Sequence, residues 1–410
     1  MGPQGTGRAA GAQGALGSPS PDWIVRQFIL AAYPLGSDAV GLPDVTEDQW
    51  QDVLQSARRA SLSALLYASL RQLGRLDRVP SSVAGSLQTS FWQTGVSSRL
   101  MLEEYGALAQ ALAREAIPSV LLKGGALGPT LYPFEGTRPL TDIDILVPRS
   151  DEARTGRLLA ERGFQPQVDG IGEFREHYLG QKIYCRQEGK HLYWVEVHWH
   201  VVDLPYYNQR IPIGWFWDRT RTVDLYGSSI RILSPTAQVM HLCAHLAIHH
   251  GGDGLLWLYD LALLLARNST EIEWNQVVEA TRTFGLALAV RRVLAAVRDA
   301  WDVDIPADAR QQLEGLQASA GERVAYTAMA ARQTGAGPLW DGIFAPELRL
   351  NGRYWLQALF PSREYMRKRY RPAHDLILPL YYACRIIAGI GKFARSGAGA
   401  VLRSRRADST

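Results

Sequence analysis

The sequence predicts an α+β fold in which a small mixed β-sheet with flanking helices is framed by N-terminal helices and a C-terminal helical domain. Three observations predict it. Leu121 to Val147 joins an apolar run ending in Lys123-Gly124-Gly125 to a second one opening with Asp142-Ile143-Asp144. Tyr193 to Val201 is aromatic and β-branched, and its polar and apolar residues alternate as in a strand with one buried face. On both sides of residues 116–232, apolar residues recur at helical spacing.

The elements follow in chain order. Residues 1–20 are mostly Gly, Ala, Ser and Pro, with little to bury, and are expected to be disordered. They also lack the long apolar stretch of a signal peptide. Residues 21–115 read as helical. Thr46 to Trp50 has the form of a capped start, and helical spacing runs on through Leu70. A second helix is expected from Ser86 to Glu115, carrying Leu100, Leu102, Tyr105, Leu108 and Leu112. It delivers the chain into a strand at Ser119 to Leu122, followed by a short helix from Ala126 to Tyr132. The Asp142 strand and a helix from Asp151 to Gly163 then continue an α/β core that spans 116–232.

Residues 233–375 are predicted to be helical again. Ser234 is placed to cap a helix with Pro235 at its first position. Leu255 to Ala266 is almost wholly apolar and reads as a buried helix; Glu273 to Phe284 and Leu286 to Trp301 extend the bundle. The last segment, 376–410, begins apolar, but Pro379, Arg385 and Gly389 interrupt Leu376 to Ile390. A membrane span needs about 20 apolar residues, so none is expected. With Lys392, Arg395, Arg403, Arg405 and Arg406, the segment is suited to weak contact with an anionic membrane or an acidic partner. The other reading docks it on the helical domain. Arg363, Arg367, Lys368, Arg369 and Arg371 form a second basic cluster near Tyr365 and Tyr370.

Composition bounds the function. The 410 residues leave room for two or three domains, and 47% apolar with 20% charged content describes a globular chain. Cys185, Cys243 and Cys384 are too few and too scattered for a disulfide framework or a cysteine metal cluster, which favours the cytoplasm. A net charge of +4 does not by itself make a nucleic-acid binder.

The chemistry concentrates around the aspartates. Residues two apart on a strand share a face, so Asp142 and Asp144 project together while Ile143 and Ile145 enter a core. Magnesium is usually held by one or two carboxylates plus substrate phosphates. Gly124 and Gly125 let phosphates approach the backbone, and a helix starting after them adds its positive dipole end. Lys123 and Arg138 flank the site and are placed to neutralise phosphate oxygens, Arg138 in bidentate fashion. A lone Asp-x-Asp commonly marks a solvated strand end, and Gly-Gly is often only a turn; their order together carries the reading. Glu196, His198 and His200 share one strand face; Glu196 is the candidate third metal ligand or base, and His198 is expected to contact the nucleotide or its phosphates. Asp203 is the second-choice carboxylate.

A separate constellation is His241, His245 and His249, spaced by four along one helix face, with His250 beside them. Three readings stay open: a zinc site, a polar wall of the pocket, or structural histidines. No His-Glu-x-x-His motif accompanies them. Asp260, on the next helix, is expected to orient an imidazole.

Leu122-Lys123-Gly124, Arg138, Asp142-Ile143-Asp144-Ile145-Leu146-Val147 and Glu196-Val197-His198-Trp199 together resemble a bacterial family of uncharacterised nucleotidyltransferases. That family belongs to the superfamily of DNA polymerase beta type and is often associated with peptide natural-product gene clusters. The resemblance runs from about residue 45 to 300 and includes Leu233-Ser234-Pro235, the histidine helix and Trp257-Leu258-Tyr259-Asp260. It implies transfer of a nucleoside monophosphate from a nucleoside triphosphate to an unidentified acceptor, with Mg²⁺ or Mn²⁺ on Asp142, Asp144 and Glu196. Gly125 departs from it, since many superfamily members have Ser there. Two other functions are weighed: a non-catalytic nucleotide-binding protein on the same fold, and a metal hydrolase centred on the histidines. The position of the metal separates them.

Overall fold

Val120-Leu121 and Ile143-Asp144-Ile145-Leu146 are the strands on which the fold is centred, because their apolar side chains are buried. The computed structural model describes residues 19–36, 41–167, 180–202, 204–225, 227–331 and 352–391. Among these, seven strands form one mixed sheet in the order β3-β4-β5-β2-β1-β7-β6. They are β1 (Val120–Leu121), β2 (Ile143–Leu146), β3 (Gln165–Pro166), β4 (Gln181–Glu188), β5 (His191–His198), β6 (Thr220–Leu225) and β7 (Ser228–Leu233). At the centre, β2 runs antiparallel to β1 and parallel to β5. Sequence analysis located β1, β2 and β5 but did not single out β4, β6 or β7.

Among the described residues, four α-helices precede the sheet. The first, α1 (Pro21–Ala32), is capped by Ser20, whose hydroxyl accepts from the Trp23 N–H. The single helix expected through Leu70 is instead two, α2 (Gln49–Arg59) and α3 (Ser63–Gln72). Ser61 adopts φ +58° between them, and the left-handed residue ends α2. The long helix α4 (Ser81–Arg114) starts five residues before the predicted Ser86. Helix α5 (Lys123–Leu131) packs on β2, and α6 (Glu152–Glu161) packs on β3.

After β7 the described residues form helices and the turns between them. Ser234 accepts from the Ala237 N–H and Pro235 occupies the first helical position of the histidine helix Pro235–His250, as the sequence predicts. Helices Leu255–Arg267, Trp274–Phe284 and Ala287–Trp301 follow. Val25 and Phe28 of α1 share one apolar core with Val293 and Val297, so the two helical flanks of the sheet meet. Arg26 secures that meeting by donating from Nη1 to the Ala300 carbonyl at 2.5 Å. A second core lies between the sheet and α4, built from residues such as Tyr105, Leu108, Ile143, Ile145, Val195 and Val197.

Residues 378–391 are helical without interruption. Pro379 sits in the first turn, where its missing N–H has no intrahelical acceptor to lose, so it does not break the segment. Among the described residues no helix is long and apolar enough to cross a membrane. The expected N-terminal tail through residue 18, Asp203, and the basic residues from Lys392 onward lie outside the described residues.

Candidate active site

The parallel pairing of β2 with β5 sets Asp144 opposite Glu196 and Leu146 opposite His198 in register. Residues two apart on a strand share a face, so Asp144, Glu196 and His198 converge on one side of the sheet. His198 Nε2 lies 2.8 Å from Asp144 Oδ1 and 3.4 Å from Glu196 Oε2. One ligand atom from each of the three falls within 4.8 Å of the others, the one such group of His, Cys, Asp and Glu among the described residues. Two carboxylate oxygens and an imidazole nitrogen are a donor set suited to a divalent cation.

Lys123 places its Nζ 2.6 Å from Asp144 Oδ1 and 3.9 Å from Glu196 Oε2. Burial disfavours its charge, but Asp144 and Glu196 outweigh burial and hold its pKa above the usual lysine value. Burial likewise opposes ionisation of Asp144, and Lys123 with His198 overcomes it, so this carboxylate stays ionised below the usual range. His198 is pulled upward: burial and Lys123 favour its neutral form, while hydrogen bonds to Asp144 and Glu196 favour the imidazolium. The Lys123 backbone has φ +45°, a costly conformation for a residue with a side chain. It is held by the Leu122 N–H donating to the Asp144 carbonyl at 2.9 Å.

Asp142 lines the same cavity but stands outside the three-ligand group. Burial, Asp144 and Glu196 raise its carboxyl to about 6. The glycines do not precede a helix that begins at Ala126; they form its first turn, because α5 starts at Lys123. Gly124 lines the cavity, and a Cβ there would lie 2.0 Å from Arg138 Nη1. Gly125 turns inward, where a Cβ would meet Leu121 Cδ1 at 2.8 Å. The positions thus differ: one faces the cavity and the other the core.

Arg138 does use bidentate geometry, but toward Asp260. Its Nε and Nη2 donate to Asp260 Oδ1 and Oδ2 at 2.9 and 2.8 Å, and Nη1 donates to the Pro139 carbonyl at 2.8 Å. The Tyr132 hydroxyl also donates to Asp260 Oδ1, at 2.7 Å. Asp260 therefore orients Arg138 and Tyr132 and not an imidazole, correcting the expectation from sequence. The physical reason is that α5 and the loop after it, which carries Arg138, pack against helix Leu255–Arg267 and bring guanidinium and carboxylate together under cover.

The cavity has a volume of about 490 Å³. His245, His249 and His250 form one wall, while His241 lies deeper, beside Leu121 and Leu127. The rings of His245 and His249 stack at 4.6 Å, His250 stacks on Trp257 at 3.6 Å, and His245 Nε2 approaches His250 Nε2 to 3.3 Å. Burial pushes His241 down to about 3 and His250 to about 4, and His245 well below its ordinary value; neighbouring imidazoles and Lys123 act in the same direction. These imidazoles are neutral near pH 7. His200 does not join Glu196 and His198 in this cavity, because β5 ends at His198 and the chain bends. It lies instead with Arg149 and Trp199. Sequence reasoning had not identified Trp257 or Gln181 as cavity residues; Gln181 pairs with His198 from β4, an alignment that only strand register creates.

A Gly-Gly helix start, an aspartate-bearing strand and an acidic residue on the adjacent parallel strand lie together here, as the resemblance to nucleotidyltransferases implies. The chain belongs to the family described as uncharacterised nucleotidyltransferase, which it matches over residues 46–302. It is similar to a solved antigenic nucleotidyltransferase-like protein from Paracoccidioides brasiliensis, with 16% identity and a TM-score of 0.34, over 53% of this chain and 94% of that one. No curated protein sequence matches it.

Proposed function

We propose that this protein transfers a nucleoside monophosphate from a nucleoside triphosphate to an acceptor hydroxyl or similar group on a small molecule, peptide or protein. In that reaction the acceptor oxygen forms a bond to the α-phosphorus, the bond from that phosphorus to the bridging oxygen breaks, and pyrophosphate leaves. The observation that carries the reading is the convergence of Asp144, Glu196 and His198 on the wall of a cavity that also takes in Lys123 and Gly124.

Asp144, Glu196 and His198 would hold the divalent cation, Mg²⁺ or Mn²⁺. When bound, it supplies positive charge against the phosphates and lowers the pKa of an attacking oxygen. Asp142, in the same cavity, is the carboxylate available for a second cation. Lys123 carries a buried positive charge beside these acids and neutralises phosphate oxygens. The first turn of α5 has no side-chain cap, so its N–H groups are available to an anion. Arg138 stays with Asp260, and this charge-balanced pair holds the cavity wall beside Gly124 in place. The His250–Trp257 stack offers a π-face to a nucleobase, and neutral imidazoles bind by hydrogen bonds without competing for phosphate.

Thermal unfolding with each nucleoside triphosphate, with and without Mg²⁺ or Mn²⁺, tests this directly. Ligand at about a hundred times its dissociation constant adds roughly 2.7 kcal/mol of stability. One triphosphate is expected to stabilise the wild-type chain with metal and leave Asp144→Asn unchanged. Metal-dependent pyrophosphate release then separates an enzyme from a non-catalytic binder. If no triphosphate shifts the wild type, while Zn²⁺ does so through His245 and His249, the hydrolase reading replaces this one.

A further inference from the structure

We infer that the helix at residues 378–391 is a docking element for an anionic lipid surface, lying flat in the headgroup region. The observation is an inverted amphipathic pattern. The inner side of this helix is tyrosine-rich: Tyr382 stacks near Phe360 at 5.9 Å and donates its hydroxyl to the Pro361 carbonyl at 2.7 Å, and Tyr381 meets Tyr370 at 5.3 Å. Arg385 lies over the Tyr365 ring. The outer side is aliphatic. Leu380, Ile387 and Ile390 are 66%, 70% and 58% exposed, exposed Ala383 and Cys384 fill the stripe between them, and Leu376, in the 3-10 turn just before the helix, is 91% exposed. These positions repeat at the i, i+4, i+7 spacing of one helical face. A contiguous apolar face of this kind marks an interaction surface.

Charge selects the occupant. Residues 361–410 carry eleven Lys and Arg against three Asp and Glu, a net of +8 within a chain whose formal charge is +4. A second copy of the chain would bring like charge against like charge. An anionic bilayer offers hydrocarbon to the stripe and phosphate headgroups to the flanking arginines. The helix, about 21 Å long at 1.5 Å per residue, is too short to span a core of about 30 Å and so lies along the surface.

Co-sedimentation of the full chain with phosphatidylcholine vesicles, with and without phosphatidylglycerol, tests the inference. Binding is expected only with the anionic lipid and is weakened by salt. The pair Leu380→Glu and Ile387→Glu should lower the bound fraction by more than about tenfold. Both residues are exposed, so an unchanged melting temperature would confirm that the variant is folded. In a second measurement, Leu380→Trp fluorescence should shift to the blue on adding anionic vesicles. The inference is overturned if no vesicle binds, if the glutamate pair leaves binding unchanged, or if the stripe instead holds a dimer that the pair dissociates in lipid-free solution. Nucleotide-induced stabilisation is read separately, so this result stands or falls apart from the active site.

Discussion

Replacing Gly124 with alanine adds one methyl group where Arg138 already stands. The new Cβ would lie 2.0 Å from Arg138 Nη1 and 2.6 Å from Cζ, whereas unstrained contact needs about 3.5 Å. The guanidinium must therefore retreat by about 1.5 Å. It cannot do so freely, because Asp260 and the Pro139 carbonyl hold it at 2.8 to 2.9 Å. A retreat of that size breaks the hydrogen bonds and leaves two poorly exposed charges apart, a loss of about 3–5 kcal/mol. With an unfolding entropy of about 2.1 cal/mol/K per residue, a loss of about 4 kcal/mol lowers Tm by about 5 °C. Gly125→Ala meets the branched end of Leu121, with Cδ1 at 2.8 Å and Cγ at 3.2 Å, and breaks no ion pair, so it should cost about 1–2 kcal/mol. Calorimetry of both variants, and of Gly124→Ala in an Arg138→Ala, Asp260→Ala background, measures the coupling. If Gly124→Ala costs no more than Gly125→Ala, or its cost persists without Arg138, the clamp argument is wrong.

The histidines give a pH dependence. His241 titrates at about 3 when folded and at about 6.5 when unfolded, so below 6.5 the unfolded chain takes up the proton first. Stability is then lost as pH falls, by about 2 kcal/mol between pH 7.5 and 5, and His241→Gln should remove that share from a denaturant-melt series. Ser234→Ala deletes the cap of the histidine helix and should cost about 1 kcal/mol by the same melts, with an unchanged value showing the cap to be dispensable.

Short-range pattern carried much of this protein. Alternation in Tyr193 to Val201 and Ile143 to Leu146 marks strands because one face must be buried, and both are strands here, although β5 stops at His198. Ser234-Pro235 marks a helix start because cap and ring act within one turn, and the helix begins there. The helix at Leu255 was legible to within a residue at its end. Strands β4, β6 and β7 were not singled out; polar residues interrupt the apolar alternation of β4 and β6, and pairing partners give these strands their shape.

The sequence by itself singled out the candidate site residues: Lys123, Asp144, Glu196 and His198 all stand in short motifs, and on the two strands backbone periodicity sets their facing. Tertiary structure alone decided who meets whom. The β2–β5 register placed His198 with Asp144 and Glu196 and left Asp142 outside the triad. The packing of the loop after α5 against helix Leu255–Arg267 gave Arg138 to Asp260, across 122 residues of chain. Periodicity is a property of neighbouring residues, whereas the pairing of a buried charge depends on which distant partner packing brings within 3 Å.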